Sequence, residues 1–341
     1  MNYRDMKIMN PEKLSLAMLP TPLCKLERTS SQFGAKLWTK RDDMTGSIVS
    51  GNKIRKLEFL FADAVENDAD TIITCGGEQS NHCRATAAIA RRLGMGIHLV
   101  LRRTAEGASG NLLLDIVLGA SMRWVTPKEY EHRNEIMAEE AEVFRSKGKK
   151  PYIIPEGGSN PLGIWGYFLA AYETIEQAKK MDFIPDYAVV PSGSGGTYAG
   201  LWLGFRAAGM KTKIVGITAG PDTEGQRDHI EKIAAKFREK YKPELKLDNS
   251  EITLIDGFWG KGYGVIDEEI ARFIMEFAMR EGLILDPTYT GKAFRGAMEM
   301  LKKSELPKDK NIILWHTGGI YGIFTKGQYF RELHFSGERV K

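Results

Sequence analysis

Short β-rich runs alternate with helical patterns along most of this chain, and that alternation constrains the fold more than any other feature. Strands are expected at residues 71–75 (TIITC), 97–101 (IHLVL), 152–154, 187–190 (YAVV), 214–218 and 312–315. Between them the apolar residues change period. Ile270, Phe273, Ile274, Phe277 and Ala278 step i, i+3, i+4, i+7, i+8 and stripe one face of a helix. Strands alternating with helices imply parallel sheets covered on both faces. The expected fold class is α/β.

At 341 residues, and with roughly 150 residues per domain as a soft guide, the length implies about two domains. No linker, low-complexity tract or internal repeat divides the chain. Residues 137–150 (MAEEAEVFRSKGKK) read as a solvated helix ending at Gly148. Hydrophobic residues make up 43% and aromatics 10%, which excludes disorder. The 48 basic and 44 acidic residues leave a net charge of +4, too weak and too mixed for a nucleic-acid footprint. The N-terminal MNYRDMKIMNPEKL carries charges and no apolar run, so it does not read as a signal peptide. No stretch approaches the roughly 20 apolar residues of a membrane span. Cys24, Cys75 and Cys83 form neither a CxxC pair nor an even set, which reads as idle thiols in a reducing compartment. No metal site is expected, and the expected location is the cytoplasm.

Three turns carry chemistry. The strand at 187–190 runs into Pro191-Ser192-Gly193-Ser194-Gly195-Gly196-Thr197, where backbone N–H groups converge at a helix start and Ser194 and Thr197 add hydroxyls. That pattern suits one isolated phosphate. It fits neither the dinucleotide G-x-G-x-x-G, because Tyr198 stands at the last glycine, nor Walker A; a purely structural turn is the alternative. In Ser50-Gly51-Asn52-Lys53-Ile54-Arg55-Lys56, Lys53 opens a helix, where the positive helix end lowers the pKa of an amine and favours the neutral form. An ordinary basic helix face is the competing reading. In Gly76-Gly77-Glu78-Gln79-Ser80-Asn81-His82, Ser80 is placed to cap a helix, and the amides of Asn81 and His82 are placed to hold a carboxylate. The His82 imidazole is expected to be structural, since no partner stands at metal-ligand spacing. Tyr263 and Tyr289 lie in glycine-rich turns, and His316-Thr317-Gly318-Gly319 follows the last strand.

Together these segments resemble one family: pyridoxal-phosphate enzymes of the tryptophan-synthase-β fold type (fold type II), specifically the D-cysteine desulfhydrase and aminocyclopropane-carboxylate deaminase group. The ordered motifs are Ser-Gly-Asn-Lys-x-Arg-Lys-Leu-Glu, Gln-Ser-Asn-His, Ser-Gly-Gly-Thr, Asp-Pro-x-Tyr-x-Gly-Lys and His-x-Gly-Gly, and the likeness runs from Leu19 to Gly319. It implies a homodimer of two-lobed chains, with residues 57–162 forming a small lobe and residues 1–56 and 163–341 a large, cofactor-binding one. It implies that Lys53 is the Schiff-base lysine. Lys56 and Ser194, Gly195, Gly196 and Thr197 would hold the phosphate, Asn81 the ring hydroxyl, and Thr317 would face the ring nitrogen. Ser80, with the amides of Asn81 and His82, would bind the carboxylate of an amino-acid substrate, and Tyr263 and Tyr289 would assist proton movement.

Deaminases of the group resemble one another in having Glu after the second tyrosine and Leu in His-Leu-Gly-Gly. Here those positions are Thr290 and Thr317, as in the desulfhydrases. The implied reaction is β-elimination from D-cysteine to pyruvate, ammonia and hydrogen sulfide. Lys261, just before Gly262-Tyr263, departs from the desulfhydrase pattern. A cation there could bind an anionic side chain, which keeps L-cysteate sulfo-lyase as an alternative, with aminocyclopropane-carboxylate deaminase behind it. A nicotinamide dehydrogenase lacks its glycine turn here.

Overall fold

The computed structural model describes residues 11–103, 107–242 and 244–335. The first ten residues of the N-terminal segment read above as no signal peptide lie outside these residues.

Two sheets organise the chain. The larger contains β1 (Leu23–Lys25), β2 (Lys36–Arg41), β7 (Tyr187–Ser192), β8 (Lys213–Thr218), β9 (Thr253–Ile255) and β10 (Asn311–His316) in the order β1-β2-β10-β7-β8-β9. The smaller contains β3 (Thr71–Gly77), β4 (Gly96–Arg102), β5 (Ser121–Val125) and β6 (Pro151–Ile153) in the order β5-β4-β3-β6. All pairings are parallel except β1 with β2, which is antiparallel. The sheets are thus parallel as expected, apart from one short edge strand.

Side chains on the central strands alternate between two cores, as the period of 2 requires. Ala188, Val190, Ile313 and Trp315 face the core built on α6 (Trp165–Lys180), α7 (Gly196–Ala207) and α8 (Thr223–Tyr241). Val189, Ile312 and Leu314 face the opposite core, with α9 (Glu268–Glu281) and α10 (Thr290–Lys302). The small sheet does the same. Ile72, Ile97 and Leu99 pack under α2 (Lys53–Glu66) and α3 (Asn81–Arg92), while Ile73 and Val100 pack on α5 (Arg133–Ser146). Helices α1 (Glu27–Phe33), α4 (Gly110–Val117) and α11 (Gly327–Phe335) complete the set among the described residues.

The stripe at 270–278 lies on α9, with Ile270, Ile274 and Phe277 buried. The solvated helix read at 137–150 begins earlier and ends sooner, as α5, and it buries Met137 and Ala141 against the small sheet. Its many charges occupy the outer face only.

Candidate active site

In parallel α/β sheets, ligands gather where the strands end at their carboxyl edge. Loops after β2, β3, β6, β7 and β10 converge in that way here, and they carry nearly all the residues singled out from the sequence.

The phosphate cradle is the best-defined part. Strand β7 ends at Ser192, and Gly195 turns the chain with φ +72° before α7 begins at Gly196. A side chain at Gly195 would strain that left-handed turn. Opposite lies the short turn Glu156–Gly158 after β6. Ser159 Oγ and Ser194 Oγ are 2.7 Å apart, and Lys56 Nζ donates to Ser159 Oγ at 3.0 Å and to the Gly157 carbonyl at 3.1 Å. Asn52 Nδ2 reaches Thr197 Oγ1 at 3.0 Å. A Cβ added at Gly196 would stand 2.6 Å from Lys56 Nζ, so the amine lies directly against the start of α7. Lys56 is sealed from solvent, and its hydrogen bonds go to these neutral acceptors. Burial, reinforced by neighbouring Lys53, drives its pKa well below the ordinary value. A buried amine, three hydroxyls and a helix N-terminus form a donor set that a phosphate dianion would complete.

Lys53 opens α2 as expected and is half-buried. A Cβ at Gly157 would fall 3.4 Å from Lys53 Nζ and 2.5 Å from Ser194 Oγ, so the Lys53 amine borders the phosphate cradle. Its pKa is lowered to about 8 by burial, against the opposing pull of Glu156. Desolvation therefore dominates where the sequence had pointed to the helix end. The basic-face reading fails for this helix start: Arg55 and Lys56 are both buried.

Ser80 caps α3, its Oγ accepting from the Cys83 amide at 3.2 Å. Asn81 Oδ1 accepts from Asn111 Nδ2 at 2.9 Å, and Asn81 Nδ2 lies 3.0 Å from where a Cβ on Gly319 would sit. Small-sheet and large-sheet motifs meet at that point. The Thr317 carbonyl accepts from the Asn52 amide at 3.0 Å, fixing the residue before Lys53. The His82 imidazole is buried, with Nε2 2.9 Å from Thr74 Oγ1.

Tyr263 and Tyr289 come together: their hydroxyls are hydrogen-bonded and their rings meet edge-on, 5.8 Å between centroids. The Tyr289 ring lies against Gly193, where an added Cβ would be 3.2 Å away. Lys292 Nζ donates to the Gly262 carbonyl at 2.8 Å and ties down the turn that carries Tyr263. Lys261, on the same turn, is exposed.

Sequence reasoning missed Ser159, Gly157 and Asn52. The signal for the first two was Gly157-Gly158-Ser159-Asn160-Pro161 following a strand, the same strand-to-glycine grammar as the motifs that were found. Arg102 was also missed; its guanidinium carbon lies 5.3 Å from the Tyr263 ring centroid.

The family described as pyridoxal-phosphate dependent enzyme matches residues 14–318. The chain belongs to that family. A Thermotoga maritima protein with a provisional 1-aminocyclopropane-1-carboxylate deaminase name is 41% identical over 316 residues, covering 93% of this chain and 99% of its own. A bifunctional, mitochondrial D-cysteine desulfhydrase/1-aminocyclopropane-1-carboxylate deaminase of Arabidopsis thaliana is 39% identical over 323 residues, 92% of this chain and 79% of its own. The crystal structure of an ACC deaminase homologue superposes with a TM-score of 0.88 at 37% identity, over 95% of this chain and 97% of that one. Fold type II, pyridoxal phosphate as cofactor and membership of the desulfhydrase and deaminase group follow from these matches. The cradle described above suits that cofactor's phosphate. Among the described residues no helix is long and apolar enough to cross a membrane, and no three His, Cys, Asp or Glu cluster as metal ligands.

Proposed function

We propose that this enzyme is a carbon–sulfur lyase that converts D-cysteine to pyruvate, ammonia and hydrogen sulfide. In this reading it works as a cytoplasmic homodimer, each chain divided into the lobes 57–162 and 1–56 with 163–341. The observation that supports the substrate most is Thr290. Its buried hydroxyl donates to Asp286 Oδ1 at 2.6 Å and accepts from the Asp286 amide at 2.7 Å. A neutral side chain, locked to its neighbour, stands where deaminases of the group resemble one another in carrying a carboxylate.

Bound pyridoxal phosphate supplies the electron sink that stabilises negative charge at the substrate Cα. In our reading Lys56, Ser159, Ser194, Thr197 and the first amides of α7 hold its phosphate, Asn81 its ring hydroxyl, and Thr317 faces its ring nitrogen. Ser80 Oγ accepts from the Cys83 amide, and in our reading its own O–H turns to donate to the substrate carboxylate beside the α3 amides. Lys53, with a pKa near 8, takes the Cα proton as a neutral amine. The electron pair left at Cα forms the Cα–Cβ double bond as the Cβ–S bond breaks, and the tyrosine pair returns a proton to sulfur. Water then completes hydrolysis to pyruvate and ammonia.

A second reading, opening of 1-aminocyclopropane-1-carboxylate, is favoured by the names of the relatives. The test is keto-acid release by the pure protein from D-cysteine, L-cysteate and 1-aminocyclopropane-1-carboxylate at matched concentrations. Pyruvate fastest from D-cysteine supports the proposal, and 2-oxobutanoate from the cyclopropane acid makes the enzyme a deaminase. Fastest release from L-cysteate would give Lys261 a sulfonate to bind. Lys53→Ala should lose turnover on every substrate, and full activity in that variant would overturn the assignment of the base.

A further inference from the structure

We propose that Arg102 is a positioning residue for this reaction: its guanidinium, laid on the Tyr263 ring, makes Tyr263 the tyrosine that gives its proton to the departing sulfur. The inference deepens the lyase reading above and rests on it.

Arg102 ends β4, paired in register with Gly77 of β3, whose turn leads on to Ser80. A Cβ on Gly77 would stand 3.7 Å from Arg102 Nη2. The guanidinium carbon lies 5.3 Å from the centroid of Tyr263 and 5.3 Å from that of Tyr130, so the cation sits between two rings. A cation over a ring face is attracted to it, and the attraction grows when the ring becomes a phenolate.

The charges around Tyr263 come from several elements. Tyr289 and Asp286 precede α10, Glu156 belongs to the turn after β6, and Arg102 comes from β4. Lys292 reaches the backbone beside Tyr263, at Gly262. Asp286 opposes ionisation of both tyrosines, but Tyr289 is tied to it directly, its own amide donating to Asp286 Oδ2 at 2.9 Å. Desolvation by the cleft walls raises both phenols, and Tyr289 is pushed well above its ordinary value; on Tyr263 the hydrogen bond with Tyr289 is the larger opposing effect, and Arg102 adds to it.

The step balances. The Cβ–S bond breaks with its pair on sulfur, the Tyr263 hydroxyl proton goes to that sulfur, and hydrogen sulfide leaves. The phenolate remains beside Arg102 until the proton that Lys53 took from Cα, or one from solvent, returns to it.

The test uses the holoenzyme with 13C-labelled tyrosine Cζ, Tyr263 being assigned by Tyr263→Phe. Arg102→Leu should raise the Tyr263 titration midpoint by about one unit, and Arg102→Lys should restore most of that shift. In kinetics, Arg102→Leu should lower kcat/KM for D-cysteine about tenfold. It should change 3-chloro-D-alanine less than about twofold, because chloride leaves without a proton. An unmoved Tyr263 midpoint, or equal losses on both substrates, would make Arg102 a packing residue and overturn the proposal. If Arg102→Leu fails to fold, Arg102→Gln keeps a long polar side chain and carries both measurements. A wild type that releases pyruvate from neither substrate would sink the lyase reading, while the tyrosine titration would still decide the role of Arg102.

Discussion

Arg55 Nη2 donates to Asp42 Oδ1 across 2.8 Å, with both side chains sealed from solvent two residues along the helix from Lys53. The Asp42 carboxylate accepts five hydrogen bonds: from Thr21 Oγ1, from Arg55 Nε and Nη2, from the Tyr167 hydroxyl and from Trp315 Nε1. Glu173 bonds both Arg55 and the buried Lys40, so two cations and two anions close a neutral cluster. It joins α2 to β2, α6 and β10 beneath the site. Burial would raise the Asp42 pKa, but Arg55 and Lys40 overcome it and hold the carboxyl at about 2.

Removing one partner of a buried pair leaves the other charge uncompensated. Asp42→Asn should therefore destabilise the protein by about 3–5 kcal/mol in denaturant titration. The sign with pH follows from the depressed pKa. The contribution of Asp42 is present above its ordinary value of 3.8 and is lost as pH falls through about 2. Wild-type stability should drop across that interval more steeply than that of the variant. Parallel curves would show that Asp42 carries none of the acid sensitivity.

Lys53 yields a prediction of opposite character. Only the neutral amine combines with an aldehyde, and a pKa of about 8 leaves roughly a tenth of it neutral at pH 7, against well under a thousandth for an ordinary lysine. Uptake of pyridoxal phosphate by the apoprotein, followed by absorbance, should accelerate with pH and level off above about 8. A rate still climbing tenfold per unit at pH 9 would mean that burial does not lower this amine.

How much of this was legible follows from burial. Strands β3, β7, β8 and β10 are covered on both faces and read as unbroken apolar runs, so they were visible without a structure. Strand β2 (KLWTKR) was not, because three of its six residues are basic, and Lys40 is buried only by pairing with Glu173, a partner 133 residues away. Strand β5 carries Arg123 and an exposed Trp124 at the sheet edge, which hides its pattern. In the site, the strand-to-glycine turns after β3, β7 and β10 were found, since that grammar is local, but the same pattern at Gly157-Gly158-Ser159 after the three-residue β6 was passed over. Asp42, Glu173 and Arg102 act through contacts between distant segments, and nothing next to them in the chain marks them as buried or near the site.

The tightest point of the phosphate cradle gives the last prediction. A Cβ at Gly196 would lie 2.4 Å from Ser159 Oγ and 2.6 Å from Lys56 Nζ, both on buried residues. Neither can move freely, because Lys56 Nζ is bonded to Ser159 Oγ and to the Gly157 carbonyl. Alanine suits a helix better than glycine by about 1 kcal/mol, which offsets part of the 1–3 kcal/mol that overpacking costs. Gly196→Ala should therefore lower Tm by only a few degrees, roughly. Cofactor binding has no such offset, since the displaced amine and hydroxyl are the groups we propose to face the phosphate. The Kd for pyridoxal phosphate should rise at least about tenfold. Adding Ser159→Ala removes the nearest clash, so the double variant should recover Tm without recovering affinity. Recovery of both together would mean that Ser159 only fills space beside the cradle and that the phosphate is held by Lys56 and the helix amides alone.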